Sequence, residues 1–286
     1  MVEHSVFLSP CTCRKGLPIT DMPIDAASEE LVYEIHDGGI AIATLNRPAQ
    51  RNALTLAMYE RLSEICAGIE PDGDVRVLII TGAGTKAFGA GTDIAAFRDV
   101  STREDALAYE AKMDRVLAAI EQTRVPTIAA IAGACTGGGA AIAAVCDLRI
   151  ATADLRFGFP IARTLGNCLS MTNLARLAAL LGAARTKEIL FTARLIEAPE
   201  ALSIGLVSEV LSEHSALMSR ADALARQLAT HAPLTLQATK EGLRRLRDPG
   251  IKGRDEDLIA QCYTSADFRE GMEAFLAKRQ PKWRGR

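Results

Sequence analysis

Residues 131–151 read IAGACTGGGAAIAAVCDLRIA, with three consecutive glycines where a strand-like run passes into an alanine-rich helical one. Glycine loses more backbone freedom on folding than any other residue and packs nothing, so Gly137, Gly138 and Gly139 imply something lying directly against bare backbone. On either side, the short apolar runs TIAAIAG (127–133) and LRIAT (148–152) alternate with helical stretches, the rhythm of βα units. Further out, VRVLIIT (75–81) has a core strand pattern, and LVYEI and IAIATL read as a hairpin joined through Asp37, Gly38 and Gly39. Between 101 and 122, Tyr109, Met113, Val116, Leu117 and Ile120 recur at helical spacing. Ser101 and Glu104 are read as its capping box and Pro126 as its stop. From about residue 171 the pattern is almost wholly helical, broken at Gly182, Pro199, Gly205, Pro233 and Pro249. The expected fold is α/β: a flexible N-terminal extension over 1–28, an α/β core and a helical C-terminal layer.

The chain has 286 residues, 49% hydrophobic and 24% charged, enough to bury a full core. Its net charge of −2, with both signs interspersed, offers no basic face for nucleic acid. No run of 18 apolar residues occurs and no leader pattern opens the chain, so a cytoplasmic protein without a membrane partner is expected. Seven cysteines, at 11, 13, 66, 135, 146, 168 and 262, follow neither a disulfide nor a zinc rhythm, and most read as small buried hydrophobes. Cys11 and Cys13 form a lone C-x-C without further ligands, and His4, His36, His214 and His231 are scattered, so no metal site is expected.

Two glycine-containing segments follow strands: KAFGAGTDI (86–94) and GACTGGGAA (133–141). Each is a tight turn or a place where free N–H groups point at one ligand atom, and a pair of such donors makes an oxyanion hole. Neither the dinucleotide fingerprint nor the phosphate-loop motif is present.

LNRPAQRNALT (45–55), KAFGAGTDI, residues 131–151 and FGFPI (157–161), in this order and spacing, resemble the crotonase superfamily, the enoyl-CoA hydratase/isomerase family, over roughly residues 30–284. The resemblance implies a ββα-superhelix core over 29–212 that binds acyl-CoA, a helical C-terminal trimerisation region over 213–286 and assembly as a homotrimer or a dimer of trimers. It also implies an acyl-CoA thioester substrate, with coenzyme A entering as part of the substrate and no other cofactor. The oxyanion donors carry over to the N–H groups of Thr92 and Gly138, beside Ala90, Gly91 and Gly139, with bare backbone there leaving room for the acyl group. For coenzyme A, Ala53 and Leu54 would meet adenine and Arg47 the phosphates, while Phe275 and Lys278 would reach it from a neighbouring subunit.

Hydratases of this family place two glutamates at positions that here hold Ala141 and Ile161, and neither side chain can move a proton. A positioned acid or base contributes about 10²- to 10⁴-fold, so efficient hydration is not expected unless other groups substitute. Candidates lie in ARTLGNCLS (162–170): Arg163, Asn167, Cys168 and Ser170. Cys168 is read mainly as a buried structural thiol, since no histidine nearby in sequence would activate it. Asp93 could reach the substrate but reads more readily as a support of the Thr92 loop, and Asp147 as structural. Three functions stay open: an acyl-CoA enzyme with unusual proton transfer, a non-catalytic acyl-CoA binder, and a peptidase with a serine or cysteine nucleophile.

Overall fold

The computed structural model describes residues 29–70, 73–98, 100–247 and 256–286. The expected flexible extension over 1–28 and the break at Pro249 lie outside the described residues. The hairpin forms: β1 (Leu31–His36) runs antiparallel to β2 (Ile40–Leu45), with Leu31 opposite Leu45. After α1 (Leu56–Ala67), the strand β3 (Val77–Gly82) pairs parallel to β2, its Val77 opposite Ile40. Then come β4 (Ala87–Gly89), the long helix α2 (Arg103–Glu121), β5 (Thr127–Ile131), β6 (Ala134–Thr136), α3 (Gly138–Val145), β7 (Leu148–Thr152) and β8 (Arg156–Gly158). The strands sort into two sheets. One has the order β1-β2-β3-β5-β7 and is closed by β10 (Glu209–Leu211); the other has the order β4-β6-β8 and is closed by β9 (Ile196–Glu197).

The central strands are apolar on both faces because both faces are covered. Leu78 and Ile80 of β3 point into the main core with Met58, Leu62, Leu117 and Phe88, whereas Val77 and Ile79 point the other way. That second face is covered by α7 (His214–Ala229), whose Leu217, Met218, Ala221 and Ala225 pack on Ile40, Ile42 and Ile128. Helix α7 is thus one layer of the packed core. The stretch from 171 is mostly helical, with α4 (Met171–Leu181), α5 (Ala183–Thr192), α6 (Ala198–Ser203), α8 (Pro233–Leu246), α9 (Glu256–Tyr263) and α10 (Ala266–Leu276). It also returns β9 and β10 to the two sheets, and strands of two and three residues are too short to carry a period.

The α2 cap sits one residue later than expected. Thr102 Oγ1 accepts the Asp105 N–H at 3.1 Å and Asp105 accepts the Thr102 N–H at 2.9 Å, so the box is Thr102/Asp105 rather than Ser101/Glu104. Among the described residues no helix is long and apolar enough to cross a membrane.

Candidate active site

The loop after β2 determines where Thr92 sits. Arg51 and Asn52 take left-handed backbone at φ 52° and 55°, a conformation asparagine tolerates better than most residues. Fully buried Asn52 donates to the carbonyls of Ala83 at 3.0 Å and Ala87 at 2.7 Å and accepts the Arg47 N–H at 2.9 Å. Leu54 then pairs with the loop after β4: its N–H donates to Gly91 O and its carbonyl accepts from Asp93 N, both at 2.8 Å. Because the residues flanking Thr92 make this pairing, the Thr92 N–H faces away from Leu54, and it donates to no group among the described residues. Asp93 fastens the same loop, accepting from Ala95 N at 3.0 Å and from Arg47 at 2.8 Å. Those two bonds, the Ala95 N–H first, hold its carboxyl below the usual value.

The question posed by the glycines has an internal answer. Gly137 adopts φ +52°. A Cβ on Gly139 would lie 2.3 Å from the Gly89 carbonyl oxygen, and one on Gly138 would lie 1.8 Å from the Tyr59 hydroxyl. What presses on this backbone is the neighbouring loop and the tyrosine of α1, the chain's own atoms. The close approach sets the start of α3, where the Gly138 N–H, like that of Thr92, donates to nothing among the described residues.

Thr92 and Gly138 line one wall of a cavity of about 270 Å³. Around them a hydroxyl chain forms: Thr92 Oγ1 is 2.9 Å from the Tyr59 hydroxyl and 3.2 Å from that of Tyr109. Burial drives the Tyr59 phenol far above its ordinary pKa and raises that of Tyr109, so both stay protonated. The rest of the cavity lining is largely apolar, with Phe97, Met113, Leu117, Phe159 and Leu165, and among the described residues it holds one carboxylate, Glu110. Burial first, and Asp114 one helical turn on, raise the Glu110 carboxyl above its ordinary value.

The structure brings Ala90, Gly91, Thr92, Gly138, Ala141, Ile161, Asn167 and Cys168 together on this cavity. Cys168 is exposed, not the buried thiol expected, because the turn at Pro160–Ala162 leaves the following segment on the surface. Ser170 does not line the cavity: it caps α4, accepting the Asn173 N–H and donating to Asp114 at 2.7 Å. Gly139 lies behind the wall against Gly89, and exposed Arg163 does not line the cavity. Arg47 is engaged by Asp93, Glu30 and the Ala53 carbonyl, Leu54 is buried in its pairing with Thr92, and Ala53 is half-buried. Phe275, 84% exposed, and exposed Lys278 lie away from the cavity on the C-terminal layer. Asp147 is structural, accepting from Thr127 and from Lys240 of α8 at 2.8 Å. Among the described residues no cluster of three metal-ligating side chains occurs. Sequence reading missed Tyr59 and Glu110. The available signal for Glu110 was its spacing of three and seven residues before Met113 and Leu117 on the apolar stripe of α2.

Parallel strands, two loops of bare backbone and a largely apolar cavity bordered by both loops make up the site. The enoyl-CoA hydratase/isomerase family model matches residues 36–286, and the chain belongs to that family. It is 34% identical to the short-chain-enoyl-CoA hydratase of Clostridium acetobutylicum over 247 residues, 85% of this chain and 94% of that one. It is 33% identical to the crotonyl-CoA hydratase of Syntrophomonas wolfei over 258 residues, 89% and 97% of the two chains. Among solved structures, an enoyl-CoA hydratase/carnithine racemase of Magnetospirillum magneticum aligns with a TM-score of 0.82 at 34% identity, covering 91% of this chain and 97% of that one.

Proposed function

We propose that the chain acts on an acyl-CoA thioester whose carbonyl oxygen is held by the N–H groups of Thr92 and Gly138, without carboxylates at positions 141 and 161. The observation that carries this reading is the pair of unengaged N–H groups on one wall of an otherwise largely apolar cavity. Negative charge appears on the thioester oxygen when the neighbouring carbon loses a proton or the conjugated carbon is attacked. One preorganised donor contributes about 3 kcal/mol to such a transition state. Ala141 and Ile161 both face the cavity and supply neither a base for water nor an acid for carbon. Hydration of crotonyl-CoA, followed by the loss of absorbance of the conjugated thioester, is therefore expected several orders of magnitude below the tens per second or more of an ordinary hydratase, an estimate from the usual acid/base contribution. Turnover at ordinary rates overturns the claim about 141 and 161. Failure to bind acyl-CoA in calorimetry overturns the substrate class.

The same reading makes the protein a trimer or dimer of trimers. The support is the run of exposed apolar side chains on the C-terminal helices, among them Leu243, Leu246, Ile259, Met272, Phe275 and Leu276. Faces of this kind call for a covering partner. On this assembly Phe275 and Lys278 reach a neighbouring subunit's coenzyme A. Light scattering that reports a stable monomer removes both statements.

A further inference from the structure

Glu110 stands on the face of α2 that borders the cavity, in line with Met113 and Leu117, which are 7% and 3% exposed. A carboxylate on such an apolar stripe costs folding free energy unless it is paired. Three other acidic groups on or beside α2 are paired: Glu60 of α1 with Lys112, Glu121 with Arg176 and Arg247, Asp114 with Ser170 and Asn173. Glu110 has no hydrogen bond or ion pair among the described residues, and it is the only carboxylate bordering the cavity among them. The other titratable groups lining the cavity are Tyr59, Tyr109 and Cys168, and Asp114 adds its charge from the same helix.

Resting on the acyl-CoA reading above, we propose that Glu110, entering from α2, is the group that removes and returns a proton at the acyl carbon next to the thioester carbonyl. A Glu110 carboxylate oxygen takes the proton. The C–H bond breaks and its electron pair becomes the carbon–carbon double bond of an enolate. The carbonyl π pair moves onto oxygen, where the Thr92 and Gly138 N–H groups hold it. Returning the proton from Glu110 to the same carbon regenerates the thioester, and between the two steps the acid exchanges its proton with water. The raised pKa of Glu110 suits this task, because a base that is too weak leaves carbon untouched.

The test uses butyryl-CoA in deuterated water, with deuterium on the acyl chain read by mass spectrometry and affinity measured by calorimetry on the same preparations. The unmodified protein is expected to incorporate deuterium next to the carbonyl. Glu110→Gln is expected to slow exchange by about 10²- to 10⁴-fold while affinity stays within a few-fold. Glu110→Asp keeps the carboxyl with a shorter reach and is expected to fall between the two, which decides the matter even if the amide disturbs the helix. Equal exchange in the Gln variant with affinity intact overturns the role of Glu110 and leaves the acyl-CoA reading standing. Binding without exchange by the unmodified protein does the same. Exchange and affinity lost together make Glu110 a binding or structural residue and overturn the proposal. No binding of butyryl-CoA by the unmodified protein overturns the acyl-CoA reading and the proposal with it.

Discussion

On one side of the cavity, Thr92 and Gly138 are held by backbone: Leu54 pairs with the loop around Thr92, Gly137 N–H donates to Gly158 O at 2.9 Å, and Gly139 rests on Gly89. Elsewhere on the cavity lining, α2 and the segment after Pro160 present side chains, Glu110, Met113 and Leu117 from the helix and Asn167 and Cys168 from the exposed segment. A wall made of backbone cannot be changed by one substitution without moving its neighbours. A wall made of side chains changes with each residue, so single substitutions alter its chemistry most. Ala141 and Ile161 border the same cavity without a titratable group, and on the proposed function the second wall must supply the proton.

The sharpest way to break this contrast is Gly138→Val. The new side chain must displace the Tyr59 hydroxyl, which occupies the space of its Cβ, and overpacking of this kind costs about 1 to 3 kcal/mol. Calorimetry is expected to show acyl-CoA binding abolished in a protein that is still folded by circular dichroism. Unchanged affinity would remove Gly138 from the site. Asp114→Ala attacks the support of the other wall, releasing the Ser170 hydroxyl and the Asn173 amide, and urea unfolding is expected to show a loss of about 2 kcal/mol, the range for hydrogen bonds to a charged group. Thr92→Val keeps the backbone N–H but removes the hydroxyl between Tyr59 and Tyr109. It is expected to cost about 1 kcal/mol in the same assay, and no loss at all would show that the hydroxyl chain does not hold this wall.

The smallest effect concerns pH. Burial first and Asp114 second raise the Glu110 carboxyl above its ordinary value, so the folded chain holds that proton more tightly than the unfolded one. Stability is therefore expected to fall as pH rises from the ordinary glutamate value through the raised one. Glu110→Gln lacks that fall and melts at a higher temperature than the unmodified protein above this window. Parallel melting curves for the two proteins across that range would show that Glu110 carries no such strain.

The sequence determined what depends on neighbours along the chain. The hairpin through Asp37 and its adjoining glycines, the apolar runs of β3, β5 and β7, the long helix ended before Pro126 and the demand of Gly137–Gly139 for bare backbone were all legible. A turn, a period or a glycine run is imposed within a few residues, and side chains reveal it locally. The resemblance implied one site for Thr92 and Gly138, and both, each just after its own strand, line one cavity. Only the tertiary structure decided which atoms press on those glycines, that α7 covers the second face of the large sheet, and that Ser170 turns away to cap α4. It also decided that Glu110 faces the cavity. Tyr59 and Gly138, or Glu110 and Thr92, lie on elements whose meeting depends on how helices cross the sheets. The spacing of residues along a helix names a face, but packing alone decides what that face meets.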